Sequence, residues 1–88
     1  MLKEKRVLIV GDDAEILEMV SEMLPPNMTV FKAQTEEMAL SLLQQQELDA
    51  VICDISIGKG NGLKLLEKCR SRMINVPFVM ITGAEKIS

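Results

Sequence analysis

Asp54 closes the apolar run Ala50-Val51-Ile52-Cys53, and Asp12-Asp13 follow a second run, Val7-Leu8-Ile9-Val10, with Gly11 between. Runs of this kind suit parallel strands buried on both faces. Each acid is therefore expected at the carboxyl end of a strand, where open α/β sheets place their chemistry. Like charges gathered there repel unless a cation or a proton lies between them. The donors are hard oxygens, which suit a divalent ion such as Mg²⁺ that keeps several waters and accepts phosphate oxygens. A third polar strand end, Thr82-Gly83, offers a hydroxyl for a further phosphate oxygen. The set points to phosphoryl transfer, with Asp54 as nucleophile and an aspartyl phosphate as product.

Composition removes most other chemistries. The chain has no histidine, which excludes imidazole bases, Ser-His-Asp triads and the usual zinc ligand sets. Cys53 and Cys69 lack CxxC spacing and read as reduced, space-filling thiols. Net charge is −3, Lys and Arg are scattered, and Phe31 and Phe78 are the only aromatics, which argues against direct nucleic-acid binding. The 88 residues, 48% hydrophobic and 26% charged, have the balance of one small globular domain. No apolar run approaches the ~20 residues of a membrane span, and Met1–Arg6 are too polar to open a secretory signal, so a cytoplasmic location with no membrane contact is expected.

The elements that must position these residues alternate between strand and helix, the order that folds as a parallel sheet covered on both faces. Val7–Val10 reads as the first strand. A helix from Ala14 to about Leu24 carries Ile16, Leu17, Val20, Met23 and Leu24 at helical spacing and is stopped by Pro25-Pro26-Asn27. Thr29–Ala33 is a second strand at an edge. Thr35 is the expected N-cap of a helix with Glu36 and Glu37 at its positive end. Asp49–Asp54 is the central third strand. Ile55–Gly62 reads as a loop; its Gly58-Lys59-Gly60-Asn61-Gly62 completes no phosphate-binding motif and is taken as a flexible connection. A helix with Leu63, Leu65, Leu66, Cys69 and Met73 follows, then a strand Phe78–Thr82. Met19, Met23, Met38 and Met73 follow helical faces and are expected as core filler. Right-handed crossovers would set the first and third strands side by side and bring Asp12 and Asp54 into one crevice.

Arg6–Leu17, Asp49–Ser56, Asn61–Leu63 and Val76–Ala84 together resemble the receiver domain of two-component response regulators. The resemblance implies a flavodoxin-like, three-layer, doubly wound α/β fold with strand order 2-1-3-4. It implies phosphorylation of Asp54 by a sensor histidine kinase or a phosphotransfer protein. It also implies Mg²⁺ bound by Asp12, Asp54 and the backbone carbonyl of Ser56, and Thr82 as the switch hydroxyl. Asp13 falls at a variably acidic position, where a helix cap competes with metal contact.

The chain departs from the family pattern in three places. Gly11 stands where the family has the first of two acids, and Ile57-Gly58 replaces the family's Met-Pro after the phosphorylated Asp. The sequence ends at Ser88, before the family's fifth strand, its lysine and its last helix; Lys86 is not assigned that lysine's role. Residues 1–88 are thus expected to form a partial receiver domain, not an enzyme, that self-associates as a homodimer through an uncovered sheet edge. The alternative is a degenerate receiver serving as a phosphorylation-independent interaction module. A dehalogenase-like phosphatase would also use an Asp nucleophile, but Asp54-Ile55-Ser56 lacks its second Asp.

Overall fold

The computed structural model describes residues 4–57 and 60–81. Its main sheet is built on β1 (Arg6–Val10), whose Val7, Leu8, Ile9 and Val10 are all buried. A strand sealed on both sides needs neighbours on both sides. It pairs in parallel with β2 (Thr29–Ala33) and with β3 (Ala50–Asp54), aligning Val10 with Ala33 and with Cys53. Two two-residue strands, β4 (Ser56–Ile57) and β5 (Gly60–Asn61), follow β3, and β6 (Phe78–Ile81) returns to pair in parallel with it. The main sheet runs β2-β1-β3-β6, the 2-1-3-4 order of a flavodoxin-like fold.

Three helices make the crossovers: α1 (Ala14–Met23), α2 (Glu36–Gln45) and α3 (Gly62–Ser71). Because side chains alternate across a strand, Leu8, Val10, Val51 and Cys53 share one face. There they join Ala39 and Leu43 of α2 and Leu65 and Cys69 of α3 in one buried cluster. Val7, Ile9 and Gly11 look the other way, toward Leu17 of α1. The result is three layers, with α2 and α3 tied further by Lys68 Nζ at 2.7 Å from Glu36 Oε2. That contact is a charge pair without hydrogen-bond alignment, and the Glu36 oxygen is otherwise sealed from solvent.

Local signals set the helix ends. Thr35 caps α2 as expected, its hydroxyl accepting from the Met38 N–H at 3.1 Å. α1 ends at Met23 with Leu24 extended (φ −86°, ψ 154°), the conformation a following proline imposes. α3 closes in a Schellman motif. The Ile74 N–H donates to the Cys69 carbonyl at 2.8 Å, and that of Met73 to Arg70 at 3.1 Å, with Met73 at φ 62°.

Two expectations are corrected. The methionines are not core filler: Met19, Met23, Met38 and Met73 are 53%, 78%, 48% and 83% exposed. Each helix buries only the narrow stripe that meets the sheet, and Met73 lies past the end of α3. The described residues of the expected loop Ile55–Gly62 are not free either. Ser56 pairs antiparallel with Asn61 and Ile57 with Gly60.

Candidate functional site

The register that sets Val10 beside Cys53 brings the ends of β1 and β3 together. A Cβ built on Gly11 would lie 3.7 Å from the Cβ of Asp54, so the two chain positions are in side-chain contact range. Asp54 is half-buried, whereas Asp12, one residue beyond Gly11, is exposed. On the other side, Asp54 aligns with Ile81, and the Ile55 N–H donates to the Ile81 carbonyl at 3.0 Å. Thr82, the expected switch hydroxyl, lies outside the described residues.

Asp13 faces a different task. Its Oδ1 accepts from the Glu15 N–H at 2.9 Å, making it the N-cap of α1. Among the described residues, no three His, Cys, Asp or Glu side chains converge in metal-holding geometry. What the edge offers a hard cation is two carboxylates, Asp12 and Asp54, with the backbone of Ser56 held by its pairing to Asn61. An all-oxygen donor set fits Mg²⁺, which needs only one or two carboxylates beside water and phosphate.

The backbone carrying Asp54 is clamped from the α3 side by Asn61 and Gly62, which the sequence marked only as part of the Asn61–Leu63 resemblance, and from within its own strand by Cys53. Asn61 caps α3, its side chain accepting from the Leu63 N–H at 2.7 Å. The Gly62 N–H donates to the Ile55 carbonyl at 2.6 Å. Gly62 approaches so closely that an added Cβ would sit 2.5 Å from the Asp54 carbonyl oxygen and 3.0 Å from Cys53 Sγ. The Cys53 thiol, fully buried, donates to the same Asp54 carbonyl at 3.3 Å. Burial pushes this thiol up to about 12, with smaller contributions from Asp54, Cys69 and Glu36, so it stays a protonated donor. The Asn61–Leu63 motif marked this junction in the sequence, but not the close approach of Gly62 to the Asp54 carbonyl.

A doubly wound parallel sheet with two acids at the junction of its first and third strands defines a switch-point α/β domain. Residues 7–88 match the family described as the response regulator receiver domain, and the chain belongs to that family. Regulatory protein VanR of Enterococcus faecium is 36% identical over 81 residues, covering 91% of this chain and 35% of VanR. The regulator of RpoS of Escherichia coli is 33% identical over 85 residues, covering 96% of this chain and 25% of that protein. The chain thus spans about a third or less of these curated relatives.

Among solved structures, a CheY-like receiver domain protein of Methanospirillum hungatei superposes with a TM-score of 0.84 at 28% identity, covering 97% of this chain and 69% of that one. The MaeR response regulator, bound to beryllium trifluoride, gives a TM-score of 0.82 at 27% identity, covering 93% and 70%. Receiver domains are signalling domains that interact with histidine kinases or phosphotransfer proteins, and as a family they bind Mg²⁺ at the phosphorylation site. No helix among the described residues is long and apolar enough to cross a membrane.

Proposed function

We propose that residues 1–88 act as a signalling unit that accepts a phosphoryl group on Asp54 from a histidine kinase or phosphotransfer protein, with Mg²⁺ held by Asp12, Asp54 and the Ser56 carbonyl. The observation that carries this reading is the 3.7 Å approach of the Gly11 Cβ position to Asp54 Cβ, which joins the acidic end of β1 to that of β3. Mg²⁺, when bound, offsets the negative charge of the phosphate oxygens and the two carboxylates. An Asp54 carboxylate oxygen attacks phosphorus, the N–P bond of the donor phosphohistidine breaks, and the imidazole leaves with a proton. Gly62 and the Cys53 thiol keep the Asp54 peptide in place during this exchange. Thr82 is proposed to receive a phosphoryl oxygen afterwards, and Asp13 is assigned to the helix rather than to the ion.

Incubation with a small acyl phosphate and Mg²⁺ is expected to add one base-labile phosphate, which Asp54→Asn abolishes. Asp12→Ala should cut labelling at least about tenfold, since it removes one of two carboxylate ligands. Asp13→Ala should keep the label and lose about 1 kcal/mol of stability with its cap. Beryllium trifluoride, which the MaeR neighbour binds, provides a second probe by NMR at the amides of Asp54 and Ser56. Absence of both label and shift would favour the phosphorylation-independent module, the reading that Gly11 supports.

The partner set is proposed to include a second copy of the chain. On the α1 face, Val79 of β6 is 53% exposed, and Ile16 and Met19 of α1 are 36% and 53% exposed. Among the described residues β6 pairs on one side alone, with β3, so its edge offers backbone groups to a two-fold related β6. Sedimentation of the 88-residue chain is expected to show a concentration-dependent dimer that Val79→Lys weakens. A monomer at every concentration would remove this part of the proposal.

A further inference from the structure

We infer that Met19 and Met23 form a peroxide-sensitive site, at which sulfoxidation of two exposed thioethers weakens the contact between copies of this chain. The inference rests on the self-association proposed above and names a chemistry that regulates the same face.

α1 has two flanks of opposite character. With about 100° between successive residues, Ile16 and Glu18 project to opposite sides of the buried Leu17. The Glu18 side is fixed on β2, because Lys32 Nζ donates to Glu18 Oε2 at 2.7 Å. β2 is an edge of the main sheet, so the Ile16 side faces β3 and β6. Met23 and Met19 lie on that same flank, about 120° and 160° round from Leu17. Val79 aligns with Ile52, and Ile52 with Ile9, which sets Val79 on the α1 face of the sheet. The helix flank and β6 thus present one apolar surface beside the β6 edge.

The two methionines make that surface chemically alterable. They are 53% and 78% exposed, whereas Cys53 and Cys69 are fully buried and held as thiols by that burial. A peroxide in solution therefore reaches the thioethers ahead of the thiols. The sulfur lone pair attacks one peroxide oxygen, the O–O bond breaks as the S–O bond forms, and the other oxygen leaves as water. Sulfur loses two electrons and the peroxide gains them. The sulfoxide carries a strong acceptor on a side chain that was apolar, and covering it with an apolar partner leaves that acceptor without a donor. Met38 and Met73 are also exposed, but they belong to the α2–α3 side of the sheet, so their oxidation leaves this contact unchanged.

Three proteins are compared before and after hydrogen peroxide: wild type, Met19→Leu with Met23→Leu, and Met38→Leu with Met73→Leu. Leucine keeps the apolar volume and does not take up oxygen. Peptide mass spectrometry assigns the oxidised residues, and sedimentation measures association. Wild type and the Met38, Met73 variant are expected to gain oxygen at Met19 and Met23 and to associate about tenfold more weakly, the effect of one or two acceptors covered without a partner. Methionine sulfoxide reductases with a dithiol should restore both. The Met19, Met23 variant should associate like untreated wild type throughout. Unchanged association of wild type oxidised at both positions, or an equal loss in the Met19, Met23 variant, would overturn this inference and leave the self-association reading standing. A wild type that is monomeric at every concentration before treatment would overturn both.

Discussion

Gly62→Ala is expected to lower the stability of the domain by about 1–3 kcal/mol, the usual cost of forcing extra volume into a packed site. For a chain of this size that is a fall in Tm of roughly 5–20 °C. The new methyl would sit 2.5 Å from the Asp54 carbonyl oxygen, 3.0 Å from Cys53 Sγ and 3.2 Å from Ile55 Cα. Two of those three atoms belong to the backbone, so no rotamer change can clear the clash. Either the amino end of α3 moves away, stretching the 2.6 Å hydrogen bond from Gly62 to Ile55, or the Asp54 peptide moves with it. The second route disturbs the phosphoacceptor, so labelling at matched folded fraction should also fall. Leu63→Ala is the control: Leu63 is 49% exposed, and its loss should change stability by about 0.5 kcal/mol or less. A Gly62→Ala protein with the wild-type Tm would show that this junction is loose and that α3 does not hold Asp54.

Much of the framework was readable because its signals are strong and independent. Val7–Val10 of β1 and Ala50–Cys53 of β3 are unbroken apolar runs, the mark of interior strands, and Thr29–Ala33 and the Thr35 cap lie where their residues point. Right-handed crossovers lead to the meeting of the β1 and β3 ends, whereas the full order β2-β1-β3-β6 came from the family resemblance and is the order the sheet has. The methionines misled for a geometric reason. At about 100° per residue, Met19 and Met23 lie on the far side of α1 from Leu17, which is 3% exposed. Apolar residues at helical spacing mark a face of the helix, but only the stripe around Leu17 is narrow enough to meet the sheet.

The site was legible in its acids and not in what holds them. Two-residue strands are too short to show a period, so β4 and β5 were hidden in a glycine-rich run. Asn61 was legible as part of a motif but not as a helix cap, although its side chain accepts from the Leu63 N–H at 2.7 Å. Asp13 carried two readings with equal sequence support, and the cap is settled only by the position of its oxygen relative to the Glu15 N–H. Cys53 read as a filler thiol; its donation to the Asp54 carbonyl depends on which way Sγ turns, which no sequence pattern encodes.

The metal-free protein is expected to lose stability steeply above about pH 9, with Cys53 as the main cause. This thiol is fully buried, and its folded pKa is raised from 9.0 to about 12, first by burial and then by Asp54, Cys69 and Glu36. A raised folded value means that the native state holds the proton more tightly than the unfolded chain does. The resulting stability is present in full below the unfolded value and is lost as pH rises from there toward the folded one, at up to about 1.4 kcal/mol per pH unit for one proton. Cys69 is also raised by burial, against opposing effects of Arg70 and Arg72, and adds to the slope in the same direction. Urea unfolding from pH 7.5 to 10.5 without divalent ions should therefore give a flat stability up to about pH 8.5 and then a fall. Cys53→Ala should carry a constant packing loss and a much shallower alkaline slope, because lysine titration is common to both proteins and cancels in the comparison. An unchanged slope in Cys53→Ala would mean that the thiol beneath Asp54 reaches solvent before the domain unfolds, and that its hydrogen bond to the Asp54 carbonyl does not hold the site.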